Sequence, residues 1–211
     1  MPVAKMKAGL PIIAFASAAD WEKWLSEQPR SCKGLWLKLA KKESGVASVS
    51  RQEAIDGALC YGWIDGQLDK FDDRFWLVRY TPRSRKSKWS KINQVRAQEL
   101  IDQKRMKPAG LDEVNMAKTD GRWEAAYASQ SKAVVPDDLQ AALDRNPRAK
   151  SFFSTLDSAN RYAILYRVHD AKKAETRTDR IKKYVQMLAQ GETIHPMKTR
   201  KTPARKTKGK N

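Results

Sequence analysis

Cysteine and histidine are scarce in this chain of 211 residues, which holds two of each. Cys32 and Cys60 lack the close spacing of a metal or redox motif, and two cysteines cannot build a disulfide framework in a chain of this length. With only His169 and His195 beside them, the chain supplies no recognisable set of zinc ligands. The sequence therefore predicts neither a metal centre nor a cofactor, and it shows no nucleophile–histidine pair for catalysis.

Long apolar runs are also missing, and no stretch is long enough to span a bilayer. The segment Lys5–Ala18 has two lysines before a short apolar run, and Ala16-Ser-Ala18 resembles a signal-peptidase site. The alternative is a strand over Ile12–Ala16, followed by a helix that Ser17 caps. The strand is favoured because a strand that leads into a capped helix explains both the apolar run and the residues that follow it. We expect a cytoplasmic protein, or a periplasmic one if Lys5–Ala18 is a signal peptide.

Acidic residues are outnumbered, because 24 aspartates and glutamates stand against 42 lysines and arginines, for a net charge of +18. Such a basic excess favours acidic partners. The end of the chain cannot bury apolar surface, so we predict a disordered basic tail over residues 196–211. The tail either aids solubility or binds nucleic acid non-specifically. An alternative function for the chain is therefore a nucleic-acid-binding module that uses the basic body and the tail. The basic side chains predicted to contact nucleic acid are Lys198, Arg200, Lys201, Arg205, Lys206 and Lys208.

Hydrophobic periodicity and turn residues predict an α/β (α+β) domain with a small mixed sheet over residues 1–128. Strands are expected at Ile12–Ala16, Gly34–Ala40, Phe75–Thr81 and, as a short strand or turn, Trp63–Gly66. Helices are expected over Trp21–Gln28, from a cap at Ser50 to near Gly62, from Ser87 to about Met106 with Ile92, Val95 and Leu100 buried, and over Gly110–Thr119.

After a linker at Ser129–Val135, an all-α domain is predicted over residues 135–195. Helices should begin at Pro136 and at Asn146-Pro147, where proline suits the first turn of a helix. The last helix is marked by an apolar stripe and by Gly191, which suits the position after its end. The stripe consists of Ile181, Tyr184, Val185 and Leu188.

The segment Ala58–Asn93 mixes three tryptophans with acidic and basic groups, which is typical of a binding surface. A helix beginning at Ser87 would expose free backbone N–H groups, and Arg79 and Arg83 would approach the same place. Such donors suit phosphate or carboxylate, so we predict a concave site for an anion. Its predicted residues are Trp63, Asp65, Arg79, Arg83, Ser87, Trp89 and Asn93.

Two alternatives stay open for this segment. The arginines could pair with the neighbouring aspartates and only tie one strand to the next, in which case the segment has no binding role. Asp65 could act as the general base of an enzyme on a phosphorylated substrate, or it could be a turn residue that bonds its own backbone. A non-enzymatic protein is favoured because no nucleophile or histidine lies nearby in the sequence. The aspartates concerned are Asp65, Asp69, Asp72 and Asp73.

Several longer motifs resemble the YdeI/OmpD-associated family, also described as bacteriocin-protection proteins. This resemblance covers about residues 12–195. It implies tolerance of bacteriocins or antimicrobial peptides and association with a porin, and it brings no reaction, cofactor or catalytic residue. Because a cationic protein repels cationic peptides, we expect tolerance to act through an anionic ligand or a protein partner. The motifs are Trp21–Leu25, Gly34-Leu-Trp36, Ala58–Gly66, Thr81-Pro-Arg83, Ser87–Asn93, Met106–Gly110, Gly121-Arg-Trp123, Val135–Leu139 and Ala171–Arg177 through to Gly191.

Overall fold

The computed structural model describes residues 5–197, and the chain divides into two compact units that meet between Ala126 and Tyr127 in the sequence. Within residues 5–197, no helix is both long and apolar enough to cross a membrane. The tail predicted to be disordered lies outside the described residues from residue 198 onward. The same holds for its six predicted contacts with nucleic acid, Lys198, Arg200, Lys201, Arg205, Lys206 and Lys208.

The described part of the first unit contains a mixed sheet of five strands. Strand β2 runs parallel to β3, and the other neighbouring pairs are antiparallel. The strands predicted at Gly34–Ala40 and Phe75–Thr81 are confirmed, whereas the one predicted at Ile12–Ala16 lies earlier, at Leu10–Ile13. Trp63–Gly66 proves to be the first half of an eight-residue strand rather than a turn. The strands are β1 (Met6–Lys7), β2 (Leu10–Ile13), β3 (Leu35–Ala40), β4 (Trp63–Lys70) and β5 (Phe75–Pro82), in the spatial order β1-β2-β3-β5-β4.

Alternating side chains along β3 supply two separate cores. Leu35, Leu37 and Leu39 lie on one face, as predicted, and pack with the large buried cluster that contains Trp21 and Tyr80. This face is the one covered by the helices. Because successive residues of a strand point to opposite faces, the residues between these leucines belong to the other side of the sheet.

Trp36 lies on that other side, in a small cluster with Leu10 and Leu77. Its indole N–H donates to the Lys7 carbonyl oxygen at 3.1 Å. The Lys7 side chain in turn pairs with Asp69 on β4, so the two outer strands of the sheet are joined by an ion pair. The sheet therefore curls around Trp36, which is only 3% exposed.

The helices of the first unit's described part begin largely where the capping residues predict. Ser17 accepts a hydrogen bond from the Asp20 amide, and Ser50 and Glu53 form a complete capping box. Both helices pack on the sheet through the cluster around Trp21, whose indole N–H donates to the Ala54 carbonyl at 3.1 Å. The helices are α1 (Ala18–Ser26), α2 (Arg51–Cys60), α3 (Lys91–Asp102) and α4 (Pro108–Thr119).

The prediction of a helix start at Ser87 is wrong. Helix α3 begins at Lys91, and its cap is Ser90, whose hydroxyl accepts the Asn93 amide at 3.1 Å. Ser87 lies in a preceding turn, where its hydroxyl accepts the Ser84 amide at 3.0 Å. Serine favours caps and turns for the same reason, its short acceptor side chain, so the motif alone does not distinguish the two roles.

The predicted buried face of α3 is also wrong in part. Ile92 and Val95 are 60% and 61% exposed, although Leu100 is fully buried. The face that packs inward carries Gln94 and Ala97 instead. Gln94, Ala97 and Leu100 recur every three residues and so share one face, whereas Val95 lies five residues before Leu100 and points elsewhere. The helix also ends four residues before the predicted position.

The described part of the second unit is helical, and the predicted helix starts at Pro136 and Asn146-Pro147 are confirmed. The stripe of the last helix is confirmed as well, because Ile181, Tyr184 and Leu188 are buried in the core of this unit and Val185 packs against them. The predicted linker contains one 3₁₀ turn at Gln130–Lys132. The helices are α5 (Asp137–Asp144), α6 (Pro147–Thr155), α7 (Ser158–His169) and α8 (Ala174–Ala189).

Helix α4 packs against the end of α2 at a glycine. A Cβ atom on Gly110 would lie 2.4 Å from the Cys60 carbonyl oxygen and 2.6 Å from that of Leu59. The Lys107 amide, just before α4, donates to the same Cys60 carbonyl at 3.1 Å. The two helices can therefore touch only where α4 carries no side chain.

Gly110→Ala is expected to lower the free energy of unfolding by about 1–3 kcal/mol, the usual cost of overpacking, even though alanine is the better helix former by about 1 kcal/mol. Urea denaturation followed by tryptophan fluorescence measures this, since all seven tryptophans precede residue 126 and report on the first unit. Gly66→Ala is the control, because its Cβ would meet only the Arg79 carbonyl at 3.6 Å. Equal stability of the two variants would contradict the role of Gly110.

Candidate functional site

A cavity of about 180 Å³ lies in the first unit where α4 meets the ends of α1, α2 and β5. Its walls combine apolar and polar surface in comparable measure, which suits a small molecule that carries polar groups. The apolar part includes Leu25, Tyr61, Trp63 and Pro82, and the charged part consists of Arg30, Arg83 and Glu113. We call this space the cavity.

Gly62 sets the geometry on one side of the cavity. It follows the end of α2 with φ +75°, a conformation that favours glycine, and it turns the chain into β4 at Trp63. A Cβ here would lie 2.8 Å from the Ala109 carbonyl oxygen and 3.1 Å from Cγ of Glu113. The bare backbone at Gly62 therefore lets α4 approach closely enough to hold Glu113 in the wall.

Arg83 enters the cavity wall just after β5 ends. Its amide donates to the Gly62 carbonyl at 2.9 Å, which ties the end of β5 to the end of α2. The guanidinium carbon lies 3.7 Å from the ring centroid of Trp89, a cation–π contact, and Nη1 donates to the Lys88 carbonyl at 3.3 Å. The side chain is only 7% exposed, so its charge acts in a region of low dielectric.

Arg122 fixes the loop that follows Arg83. Its Nε donates to the Asp120 carboxylate at 2.8 Å, and its Nη1 donates to the carbonyl oxygens of Ser84 and Ser87 at 3.4 and 3.1 Å. The loop after β5 is therefore held by a nearly buried arginine from beyond α4. Ser87 contributes to the region through its backbone and a turn, rather than as the start of a helix.

Glu113 is the acidic group of the cavity wall. Its Oε2 atom is buried and accepts no hydrogen bond from any residue that the structure describes. Burial raises the pKa of this carboxyl, and the positive charges of Arg122, Arg83 and Arg30 offset the rise only in part. Loss of hydration disfavours the charged form, so burial is the stronger effect here.

A shallower groove of about 430 Å³ adjoins the cavity along α4. Arg30 lies in the walls of both, and its Nη2 atom pairs with Asp112 on α4 at 2.5 Å. Both side chains are largely exposed, so this pair contributes little to stability. The cavity and the groove therefore share the Arg30 side chain, and Asp112 belongs to the wall of the groove.

The structure brings together three of the seven residues predicted from the sequence, two of which line the cavity. Trp63, which is 4% exposed, and Arg83 line the cavity, and Trp89 lies buried beneath Arg83. Asp65 lies outside the cavity wall, on β4, where its carboxylate is 4.0 Å from Arg51. Asn93 lies in the first turn of α3, and its amide bonds the capping serine. A role of any of these residues in ligand binding stays a prediction.

The expected convergence of Arg79 with Arg83 is wrong. Arg79 pairs in register with Trp36 and follows Val78, whose side chain lies on the helix-covered face. The exposed side chain of Arg79 therefore projects from the opposite face of the sheet. Arg83 instead stacks on Trp89, in the cluster that includes residues of α2, α3 and α4.

The acidic residues of the segment have partners of their own. Asp69 pairs with Lys7, and Asp73 lies 4.0 Å from Lys70. Asp72 accepts the amides of Arg74 and Phe75 at 2.8 Å and so shapes the turn between β4 and β5. The contacts of Asp69 and Asp72 join the outer strands and shape the turn, whereas the exposed pair of Asp73 and Lys70 contributes little to stability.

Two charged residues of the cavity wall, Arg30 and Glu113, were not among the predicted site residues. Arg30 lies in a loop, and Glu113 lies on an amphipathic helix with no motif around it. The only local sign was the pair Pro108 and Gly110, which predicts a helix start and a close contact. Two properties distinguish Glu113, its burial beside Gly62 and its raised pKa. Both depend on residues that are distant in the sequence.

Cys60 has a packing role. Its side chain is 2% exposed in the cluster around Trp89, and burial raises the pKa of the thiol to about 11. A thiol this reluctant to ionise is a poor nucleophile at neutral pH. Among residues 5–197, no group of three or more histidine, cysteine, aspartate or glutamate residues has the arrangement of a metal site.

Stability should depend on pH through Glu113. Because burial raises the pKa of this carboxyl above 4.5, the folded protein holds the proton more tightly than the unfolded chain does. The stabilising contribution of Glu113 is complete below pH 4.5 and falls as pH rises through the raised pKa. Glu113→Gln removes this loss, so its stability relative to the parent should increase between pH 4.5 and pH 7.

Urea denaturation at the two pH values measures this difference, and Glu124→Gln serves as the control because Glu124 is exposed on the same unit. A stability difference between Glu113→Gln and the parent that is the same at both pH values would contradict the expectation.

Comparison with known families separates the two units. Residues 13–113 match a family described as a domain of unknown function (DUF8412), and residues 132–191 match the family described as "Bacteriocin-protection, YdeI or OmpD-Associated". No curated protein and no solved structure matches the chain. The motifs of the first unit thus fall mainly within a different family from those of the second. The resemblance is confirmed for the second unit alone, because residues 132–191 match the model of the YdeI/OmpD-associated family.

Proposed function

We propose that this chain is a non-enzymatic protein that binds a small anionic molecule in the cavity, and that it contributes in this way to tolerance of bacteriocins or antimicrobial peptides. The observation that carries the proposal is the position of Arg83, a nearly buried guanidinium in a wall shared with Trp63 and Pro82. An arginine held in place by packing loses little freedom when it binds a carboxylate or phosphate.

The charge around the cavity supports an anionic ligand. Arg30 adds a second guanidinium to the wall, and the body of the protein carries a large positive net charge that attracts anions from solution. Arg83 makes its contact with Trp89 from one ring face, so the guanidinium is oriented before a ligand arrives. Its planar group suits a carboxylate or phosphate better than a lysine ammonium would.

The role in tolerance rests on the family of the second unit, whose description names bacteriocin protection. A net charge of +18 argues against capture of cationic peptides, since like charges repel. Tolerance would therefore act through the bound ligand or through a protein partner, in the cytoplasm. The association with a porin that the family description suggests is part of the same proposal, with the second unit as the contact.

Arg83→Gln should weaken binding of a small carboxylate at least tenfold, which corresponds to about 1.4 kcal/mol. Isothermal titration calorimetry with 4-methylpentanoate and with inorganic phosphate measures the affinity. Arg79→Gln is the matched control, because it removes the same charge from the opposite face of the sheet and should leave binding unchanged. The tryptophan fluorescence of both variants shows whether the first unit is folded. Unchanged affinity in a folded Arg83→Gln protein would refute the proposed site.

In cells, deletion of this protein should lower survival under a polymyxin-type peptide, and the parent protein should restore survival. The Arg79→Gln variant should also restore survival, whereas Arg83→Gln should not, because only Arg83 lines the cavity. Colony counts after exposure to the peptide measure the effect. Equal survival with and without the protein would refute the role in tolerance while leaving ligand binding open to calorimetry.

A further inference from the structure

We infer that the ligand of the cavity is amphoteric: a small molecule with a carboxylate that Arg83 binds and an ammonium group that Glu113 binds. This inference rests on the proposed function and names the class of molecule. It predicts an α-amino acid with a short aliphatic side chain, because the cavity wall carries the guanidinium groups of Arg30 and Arg83, the carboxyl group of Glu113 and an apolar surface.

Opposite charges come to the cavity from two different elements. Arg83 follows β5, and Glu113 lies in the second turn of α4. A ligand with a negative charge alone would gain from Arg83 but would be repelled by the Glu113 carboxylate. A ligand with a positive charge alone would be attracted by Glu113 but repelled by Arg83. A molecule that carries both charges has an attractive partner at each end.

Glu113 has the properties of an acceptor for a ligand donor. Its Cγ is placed by packing against Gly62, so the carboxyl is held at the wall by the backbone of the first unit. Its Oε2 accepts no hydrogen bond from the described residues. The last torsion of a glutamate turns easily, so either oxygen can face the cavity. An ammonium donor would supply a charge-assisted hydrogen bond to this group.

The size and the apolar wall restrict the ligand further. Pockets for drug-sized molecules usually have volumes of about 300–1,000 Å³. The volume of about 180 Å³ found here suits a molecule of the size of an amino acid. Trp63, Pro82 and Leu25 supply the apolar surface, against which an aliphatic side chain would lose its contact with water.

Three matched probes test the inference by calorimetry at pH 7. L-leucine carries both charged groups, 4-methylpentanoate lacks the ammonium group, and 3-methylbutylamine lacks the carboxylate. We expect leucine to bind the parent protein at least tenfold more tightly than either of the others. Glu113→Gln keeps the shape of the side chain and should bring leucine and 4-methylpentanoate to within about threefold of each other, whereas Glu124→Gln should keep the preference.

The outcomes separate this inference from the proposed function. If 4-methylpentanoate binds the parent as tightly as leucine does, the amphoteric ligand is refuted and the anion site stands. A preference for leucine that Glu113→Gln leaves intact also refutes the role of Glu113. If none of the three probes nor inorganic phosphate binds, both the inference and the proposed site fail. Loss of the preference in a folded Glu113→Gln protein, with retention in Glu124→Gln, supports the inference.

Discussion

The close contact between α4 and the end of α2 is the constraint on which the geometry of the first unit depends. It requires two positions without side chains, Gly110 against the carbonyl groups of α2 and Gly62 against α4. The Gly62 carbonyl also accepts a hydrogen bond from the Arg83 amide, just after β5 ends. The ends of α2 and β5 therefore meet α4 at one point. The cavity lies beside this point, and the side chains that surround it come from these same elements.

Two acidic residues of neighbouring helices show how the surroundings of a carboxyl decide its role. Burial alone would raise the pKa of Asp56 on α2, but hydrogen bonds from Arg96 and Gln52 lower it overall. Arg96 makes two contacts with this carboxylate and so ties α3 to α2. Glu113 is also near arginines, yet burial prevails and its pKa rises. Asp56 is therefore fully engaged within the protein, whereas Glu113 retains capacity for a further bond.

The fold was predictable wherever a local rule had no competitor. The capping box at Ser50, the alternation along β3 and the apolar stripe of α8 each describe a single element, and each is confirmed. The start of α3 was not predictable, because two serines three residues apart both satisfy the rule for a cap. The loop between them is set by Arg122, which is 35 residues away from Ser87 in the sequence.

The candidate site was predictable only in part, for a related reason. Arg83 and Trp63 were found because they lie in an unusual mixture of aromatic and charged residues. Arg79 was placed with them because nearness in sequence was taken for nearness in space. Arg79 lies within β5 on the face opposite the helices, whereas Arg83 follows the end of β5, where the chain leaves the sheet. Glu113 has no distinguishing neighbour in the sequence. Its raised pKa and its position in the wall exist only once α4 has packed on α2.

The pair of Arg30 and Asp112 has a consequence for the mobility of the cavity wall. An exposed ion pair of this kind contributes about 0–1 kcal/mol, which is close to the thermal energy of about 0.6 kcal/mol. Its two side chains therefore separate and rejoin on the timescale of surface motions, from picoseconds to microseconds. The part of the wall that Arg30 contributes to both the cavity and the groove therefore changes on the same timescale. Dissolved salt screens the pair, so the Arg30 side chain spends more time apart from Asp112 as the ionic strength rises.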